Sequence, residues 1–316
     1  MKRILTLCFS LFVVLAGASS VQAGLLVYEG FDGYTPGAGL ETSTPNENTA
    51  GLDTTRAYVD GGTTGNRYTD TVLAEGLTFG SLRTSGGALG FSNTDGGSGS
   101  TNVIGAYLSS DVSGYTGTLW SSYLVNLTFQ GTDAVGNGMG IRIGNSPSDS
   151  VNDRFNSWAD SRAGSKSVGV GYGPGIGSGE KGTADLELNT TYIIISCFTN
   201  AGVTLSASVK GTATIWALTE AQFADFLATG GDETALASVA VTATATQTVS
   251  SGTRAFTGAI SFVSVNDVGT IDELRWGSSL ESVTPVVPVP EPATVALVLG
   301  MGAGLLGMAC RLRHRV

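Results

Sequence analysis

The chain has very little histidine, and that histidine is badly placed for catalysis. Its one histidine, His314, lies almost at the C terminus. Residues 24–292 therefore lack the imidazole base of a Ser-His-Asp or Cys-His site, and they lack a histidine ligand for zinc. No G-x-S-x-G nucleophile elbow occurs in the sequence either. Most hydrolase mechanisms are excluded for this part of the chain.

Cysteine is also scarce. Cys8 and Cys310 lie in apolar stretches at the two ends, so Cys197 is alone in the long middle part. An intramolecular disulfide framework is therefore excluded. Because Cys197 lies in the apolar run Tyr192–Phe198, we expect a buried, unreactive thiol.

Positive charge is rare outside the ends. Five of the 16 Lys and Arg residues lie in residues 1–23 and 311–316, whereas all 26 Asp and Glu residues lie between. Residues 24–292 thus carry 11 basic and 26 acidic residues, a net charge of −15. Such a surface repels phosphate backbones and anionic lipids, so nucleic acid is not an expected partner.

The N terminus predicts an exported protein. Met1-Lys2-Arg3 is followed by an apolar stretch and then by Val21-Gln22-Ala23. A charged start, an apolar core and an A-x-A-like end are typical of a secretory signal peptide. We expect residues 1–23 to be removed by cleavage between Ala23 and Gly24.

The C terminus predicts a second membrane signal. Residues 285–292 are rich in proline and favour an extended stalk. Residues 293–310 form an apolar stretch just long enough for a transmembrane helix. The basic tail, residues 311–316, should stay in the cytoplasm, so everything before the span lies outside.

This tail resembles the PEP-CTERM sorting signal. The motif Pro290-Glu291-Pro292, a glycine-rich apolar span and a basic end occur in the order that this family shows. The resemblance implies that Pro290, Glu291 and Pro292 are recognised by exosortase, a membrane protease. It also implies a protein that is transiently anchored in the inner membrane and then reaches the cell surface or the secreted matrix.

The exported body, residues 24–284, predicts an all-β fold. Glycine is abundant, with 46 residues in the chain, and short β-branched runs alternate with Gly, Asn, Asp and Ser. This pattern favours two packed antiparallel sheets. One helix interrupts it, because Thr219-Glu-Ala-Gln222 is a capping box before the apolar stripe of Phe223, Phe226 and Leu227.

The body also resembles concanavalin A-like (laminin-G-like) jelly-roll domains. The resemblance rests on Leu26-Val-Tyr-Glu-Gly-Phe-Asp32, Gly117–Leu124 and the closing segment Gly269–Gly277. It implies an antiparallel sandwich whose first and last strands lie close together. Together with the sorting signal and the missing catalytic groups, it predicts a non-catalytic surface or matrix protein; the alternative is a glycan-binding module for secreted polysaccharide, and a glycosidase is the third class.

Two candidate sites follow from side-chain chemistry. Calcium prefers oxygen ligands from loops, and the candidates for one such site are the cluster Asp149, Asn152 and Asp153, the pair Asp95 and Asn102, and Glu29 or Asp32 beside Asp272 if the terminal strands pair. A structural calcium ion is thus the cofactor that the sequence admits; no other cofactor and no catalytic residue are predicted. Trp158 has polar and charged neighbours, which favours a loop in which the indole contacts a sugar.

Overall fold

The computed structural model describes residues 24–61, 68–93, 101–129, 138–144, 146–147, 155–160, 167–172, 180–183, 186–265 and 267–286. The predicted signal peptide and the predicted span, residues 293–310, lie outside these ranges and stay predictions. By its internal contacts the chain divides into two units, Met1–Pro285 and Val286–Val316. No helix in the described part of the chain is long and apolar enough to cross a bilayer.

Strands dominate the described residues. They are β1 Leu25–Glu29, β2 Val59–Asp60, β3 Tyr68–Leu73, β4 Ala88–Asn93, β5 Thr101–Tyr107, β6 Gly117–Phe129, β7 Gly138–Gly144, β8 Phe155–Asp160, β9 Ser167–Gly171, β10 Glu180–Thr183, β11 Thr191–Ala201, β12 Thr204–Leu205, β13 Gly211–Leu218, β14 Ala243–Val249, β15 Gly252–Thr253, β16 Ala259–Val265 and β17 Val268–Gly277. The helices are α1 Glu220–Ala228, α2 Glu233–Ser238 and α3 Leu280–Val283, with a short 3-10 turn at Leu40–Thr42.

The strands form two large antiparallel sheets. An eight-stranded sheet runs β14-β13-β11-β6-β17-β4-β3, with β1 also paired to β17, and a seven-stranded sheet runs β10-β9-β8-β7-β16-β5-β2. Each sheet also joins strands that are far apart in sequence, such as β6 with β17 and β7 with β16, as in a jelly roll. The predicted jelly-roll sandwich is confirmed.

The main core lies between the two sheets. Side chains of successive residues point to opposite faces of a strand, so every second residue faces the core. Strand β14 shows this period, because Ala243 and Ala245 are buried and Thr244 and Thr246 are exposed. Aromatic rings fill the centre, where the Phe198 centroid lies 5.2 Å from that of Phe155 and 5.8 Å from that of Trp276. All three side chains are fully buried.

The helices cover part of the outer face of the eight-stranded sheet. The predicted capping box at α1 is confirmed: Thr219 Oγ1 accepts a hydrogen bond from the Gln222 amide, and Gln222 Oε1 accepts one from the Thr219 amide. Phe223 and Phe226 of α1 pack with Trp120 and Leu124 of β6 in a second apolar cluster. This covering fixes which part of the outer face stays open.

The β-branched pattern of Ser238–Thr246 predicts one strand over these residues, and this prediction is wrong at its start. Ser238 ends helix α2 rather than opening a strand, and β14 begins at Ala243. The helix forms because the Asp232 carboxylate accepts a hydrogen bond of 2.8 Å from the Ala235 amide and so caps the helix. Ala235 and Leu236 then enter the second apolar cluster.

The first and last strands pair, as expected. Strand β1 runs antiparallel to the end of β17, with Glu29 opposite Leu274. The Ser278 amide donates a 2.8 Å hydrogen bond to the Gly24 carbonyl. The point where we expect the mature chain to begin therefore lies beside the end of β17.

Candidate functional site

Most of the sequence-predicted site residues lie outside the described residues. This applies to Pro290, Glu291 and Pro292 of the sorting motif, to Ala23 and to the oxygen cluster Asp149, Asn152 and Asp153. The calcium prediction at that cluster stays a prediction. Gly24 and Trp158 are described, and Trp158 does not lie in the exposed loop that the sequence predicts.

Trp158 is not in an exposed loop. It lies within strand β8 and its exposed fraction is 0%. A buried indole cannot stack on a sugar at the surface, so the predicted glycan contact is wrong. Substituting this residue is expected to test stability rather than binding.

The position of Trp158 depends on two glycines. Its neighbours across the sheet are Gly140 of β7 and Gly169 of β9. A Cβ atom added at Gly169 would lie 2.0 Å from Cζ2 of Trp158, so the ring occupies the space that glycine leaves open. The indole Nε1 makes no hydrogen bond to a described residue.

Two other tryptophans share the outer face of the eight-stranded sheet. Trp120 and Trp216 stack with their ring centroids 6.0 Å apart and an angle of 15° between the rings. Trp120 is buried, and Trp216 is half-buried against the cluster that contains α1. This stack packs the helices onto the sheet.

A buried carboxylate lies on β1. Glu29 is 1% exposed, and its Oε1 accepts a 2.7 Å hydrogen bond from the Phe31 amide. Its Oε2 accepts hydrogen bonds from the hydroxyls of Tyr34, at 3.0 Å, and Tyr58. Burial raises the pKa of Glu29 to about 7, although these three donors oppose the shift.

Two more carboxylates are buried on the paired strand β17. Asp272 accepts hydrogen bonds of 2.7 Å from the amides of Leu77 and Glu273. Burial raises the pKa of Asp272 to about 9, and the neighbouring Glu273 charge adds to the shift. Glu273, in a left-handed conformation with φ of 55°, forms an ion pair with Arg275.

These carboxylates do not form an ion site. Pairing of β1 with β17 places Glu29 opposite Leu274, which follows Glu273 in the sequence. In the described ranges no group of three His, Cys, Asp or Glu residues is placed to hold a metal ion. The oxygens of Glu29 and Asp272 accept hydrogen bonds from donors inside the protein, and Glu273 pairs with Arg275.

The open part of the outer face contains a groove. It crosses strands β3, β4, β17 and β6 of the eight-stranded sheet and has a volume of about 380 Å³. None of the described side chains that line it is charged. They include Thr71, Leu73, Gly90, Ser92, Thr128 and Thr270. This groove could not be predicted from the sequence, because its residues come from four segments that the fold brings together.

Comparison with known proteins identifies the C-terminal segment. Residues 288–314 match the family described as the PEP-CTERM protein-sorting motif. The predicted sorting signal is confirmed. The chain carries the signal of an exported protein that is processed by exosortase. No curated protein matches the chain.

Solved structures resemble the sandwich at low sequence identity. Lectin II from Ulex europaeus is 11% identical, with a TM-score of 0.35, covering 70% of this chain and 97% of the lectin. Domain 4 of AbnA, a GH43 extracellular arabinanase from Geobacillus stearothermophilus, in complex with arabinotriose, is 13% identical, with a TM-score of 0.36 and coverages of 83% and 97%. The Ca2+/Man2-bound exoplasmic/lumenal domain of VIP36 is 9% identical, with a TM-score of 0.37 and coverages of 80% and 89%. At these values no residue role carries over to this chain.

Proposed function

We propose that this protein is a non-catalytic component of the cell surface or the extracellular matrix. The observation that carries the proposal is the sorting motif over residues 288–314. In this proposal Pro290, Glu291 and Pro292 are read by an exosortase-type membrane protease, while residues 293–310 hold the precursor in the inner membrane. Cleavage at the motif then releases the sandwich.

The absence of a catalytic role is supported by the chemistry of the body. Residues 24–292 contain no histidine. In the described part, Glu29, Asp272 and Glu273 are at most 1% exposed and use interior hydrogen-bond donors. Glycoside hydrolysis needs two carboxyl groups that reach a substrate. These three accept hydrogen bonds inside the protein instead.

The proposal is tested by fractionation of the producing organism and mass spectrometry of the protein's C terminus. We expect a mature form that ends near Pro290–Pro292 and is found in the matrix or the culture fluid. Glu291→Ala should leave a membrane-bound chain that ends at Val316. The matched control is Glu281→Ala, a glutamate upstream of the motif, which should be processed normally.

One outcome of the C-terminal mass spectrometry would contradict the proposal. A wild-type chain that keeps Val316 and stays in the inner membrane would show a permanent anchor, and the matrix role would fall.

A glycan-binding role is the second candidate. It is favoured by the uncharged groove on the outer face of the eight-stranded sheet, in a protein that is otherwise strongly acidic.

A further inference from the structure

The groove lies along one cross-strand row of residues. Thr71 of β3 is opposite Gly90 of β4, Gly90 is opposite Thr270 of β17, and Thr270 is opposite Asn126 of β6. Asn126 is opposite Thr191 of β11, and its side-chain amide donates a 3.1 Å hydrogen bond to Thr191 Oγ1. Four strand spacings make this row about 19 Å long.

Glycine makes this row a groove. Gly90 points to the outer face, because its neighbours Leu89 and Phe91 are in the core. With no side chain at Gly90, the floor lies at the level of the backbone, between the side chains of Thr71 and Thr270. The two threonines then form walls that each offer a hydroxyl and a methyl group.

The rim adds apolar surface and further hydroxyl groups. Leu73 is 37% exposed, which is high for a large apolar side chain in this structure. Across the groove Thr128 is exposed, and its hydroxyl donates a 3.2 Å hydrogen bond to the Val268 carbonyl. Ser92 on β4 is exposed and shares a 2.7 Å hydrogen bond with Thr69.

The lack of charge on the described groove residues favours an uncharged ligand. Among the described residues that line the groove none is charged, although residues 24–292 carry a net charge of −15. An anionic polymer would be repelled by the surrounding surface, and a cationic ligand would find no carboxylate partner in the groove. A neutral sugar chain fits, since it presents hydroxyl groups and C–H faces together, as the threonines and Leu73 do.

We propose that the groove across β3, β4, β17 and β6 binds a neutral polysaccharide chain lying along the row from Thr71 to Asn126. The proposal rests on the proposed export, because secreted polysaccharide is met outside the cell. The row is longer than a single sugar ring, so we expect polymers to bind better than monosaccharides.

The test is affinity electrophoresis of the full chain, purified in mild detergent, through gels that contain a polysaccharide. The neutral probes are dextran, galactomannan and a mixed-linkage β-glucan, and alginate is the anionic probe. We expect retardation by at least one neutral probe and none by alginate. No retardation by any neutral probe, or equal retardation by alginate, would overturn the proposal.

A matched pair of variants locates the site. Thr270→Val keeps the shape of the groove wall but removes its hydroxyl, and the lost hydrogen bond should weaken binding about fivefold. Thr246→Val makes the same change on the same face, but on β14 and outside the groove, and should bind as the wild type does. Equal affinities of the two variants would place binding elsewhere.

A second variant closes the groove. In Gly90→Val the new side chain fills the floor; its Cβ would lie 3.3 Å from the flexible Leu73 side chain, which can shift. We expect loss of retardation with an unchanged melting temperature. Sedimentation of the wild type adds another check: a dimer that Gly90→Val dissociates would show that a second copy of the chain occupies the groove.

This experiment is independent of sorting. Binding is measured on purified chain, so failure of cleavage at Pro290–Pro292 in the organism would leave the binding result standing. Conversely, a correctly released protein that ignores every neutral probe would refute the groove alone.

Discussion

The stability of this protein should fall as the pH rises from 5 to 7, and Glu29 should cause part of the fall. Burial raises the pKa of Glu29 from its ordinary value of 4.5 to about 7. The folded state therefore keeps a proton on Glu29 at a pH at which the unfolded chain has released it. Stability from this group is fully present below pH 4.5 and is lost as the pH rises through 7.

Asp272 should also make the free energy of unfolding fall as the pH rises, over a wider pH range than Glu29 does. Its pKa rises from 3.8 to about 9. One proton bound only in the folded state changes the free energy of unfolding by about 1.4 kcal/mol per pH unit. Between pH 5 and 7 the two groups together should remove at most about 5 kcal/mol, which is a large part of the stability of an ordinary domain.

The measurement is urea unfolding at a series of pH values, followed by tryptophan fluorescence. The variant Glu29→Gln is neutral at every pH, so its free energy of unfolding should fall less steeply, by about 1.4 kcal/mol per pH unit near pH 5–6. The matched control is Glu47→Gln, which removes an exposed carboxylate and should keep the wild-type slope.

Two outcomes would refute this reasoning. The first is a wild-type free energy of unfolding that stays constant or rises between pH 5 and 7. The second is a Glu29→Gln slope equal to that of the wild type, which would mean that Glu29 is ionised in the folded protein.

Two further predictions concern single residues. Trp158→Ala should lower the free energy of unfolding by about 3–5 kcal/mol, as expected for a large buried ring, and leave polysaccharide retardation unchanged in any variant that still folds; a folded variant that loses retardation would restore the glycan contact. Thr219→Ala removes the cap of α1 and should cost about 1 kcal/mol in urea unfolding, whereas Thr246→Ala on an exposed strand face should change stability by less than about 0.5 kcal/mol.

The sandwich and its capped helix could be predicted because their signals are local. The capping box at Thr219 lies within four consecutive residues, and the alternation in β14 needs only neighbours along one strand. Helix α2 was missed because it is six residues long and its sequence, Glu233–Ser238, shows no full helical period. A helix of that length is stabilised by packing more than by its own propensity.

Trp158 could not be placed from sequence because strand β8 is buried on both faces. Its residues alternate between the core, as Phe155 and Ala159 do, and the other face, as Asn156 and Asp160 do, yet all of them are buried. A strand covered on both sides loses the apolar-polar period that marks the buried face. The polar neighbours of Trp158 therefore indicated a surface that does not exist there.

The burial of these carboxylates could not be predicted because their partners are distant in the chain. Tyr28 donates a 3.1 Å hydrogen bond to Glu273, 245 residues away in sequence, and Leu77 donates to Asp272 across 195 residues. In an acidic chain each carboxylate taken alone is expected to be solvated. Only the pairing of β1 with β17, together with the segment around Leu77, removes these three from water.

The locations of the charged cluster and the groove make their pH responses separable. Glu29 lies on β1 opposite Leu274, and Asp272, two residues from Thr270, keeps its proton up to about pH 9, whereas none of the described groove-lining side chains is titratable. Binding of a neutral polysaccharide should therefore keep the same affinity between pH 5 and 7 while the free energy of unfolding falls, provided that the protein stays folded. Retardation measured at both pH values checks this. An affinity that follows the titration of Glu29 would mean that the ligand contacts the strand ends rather than the groove.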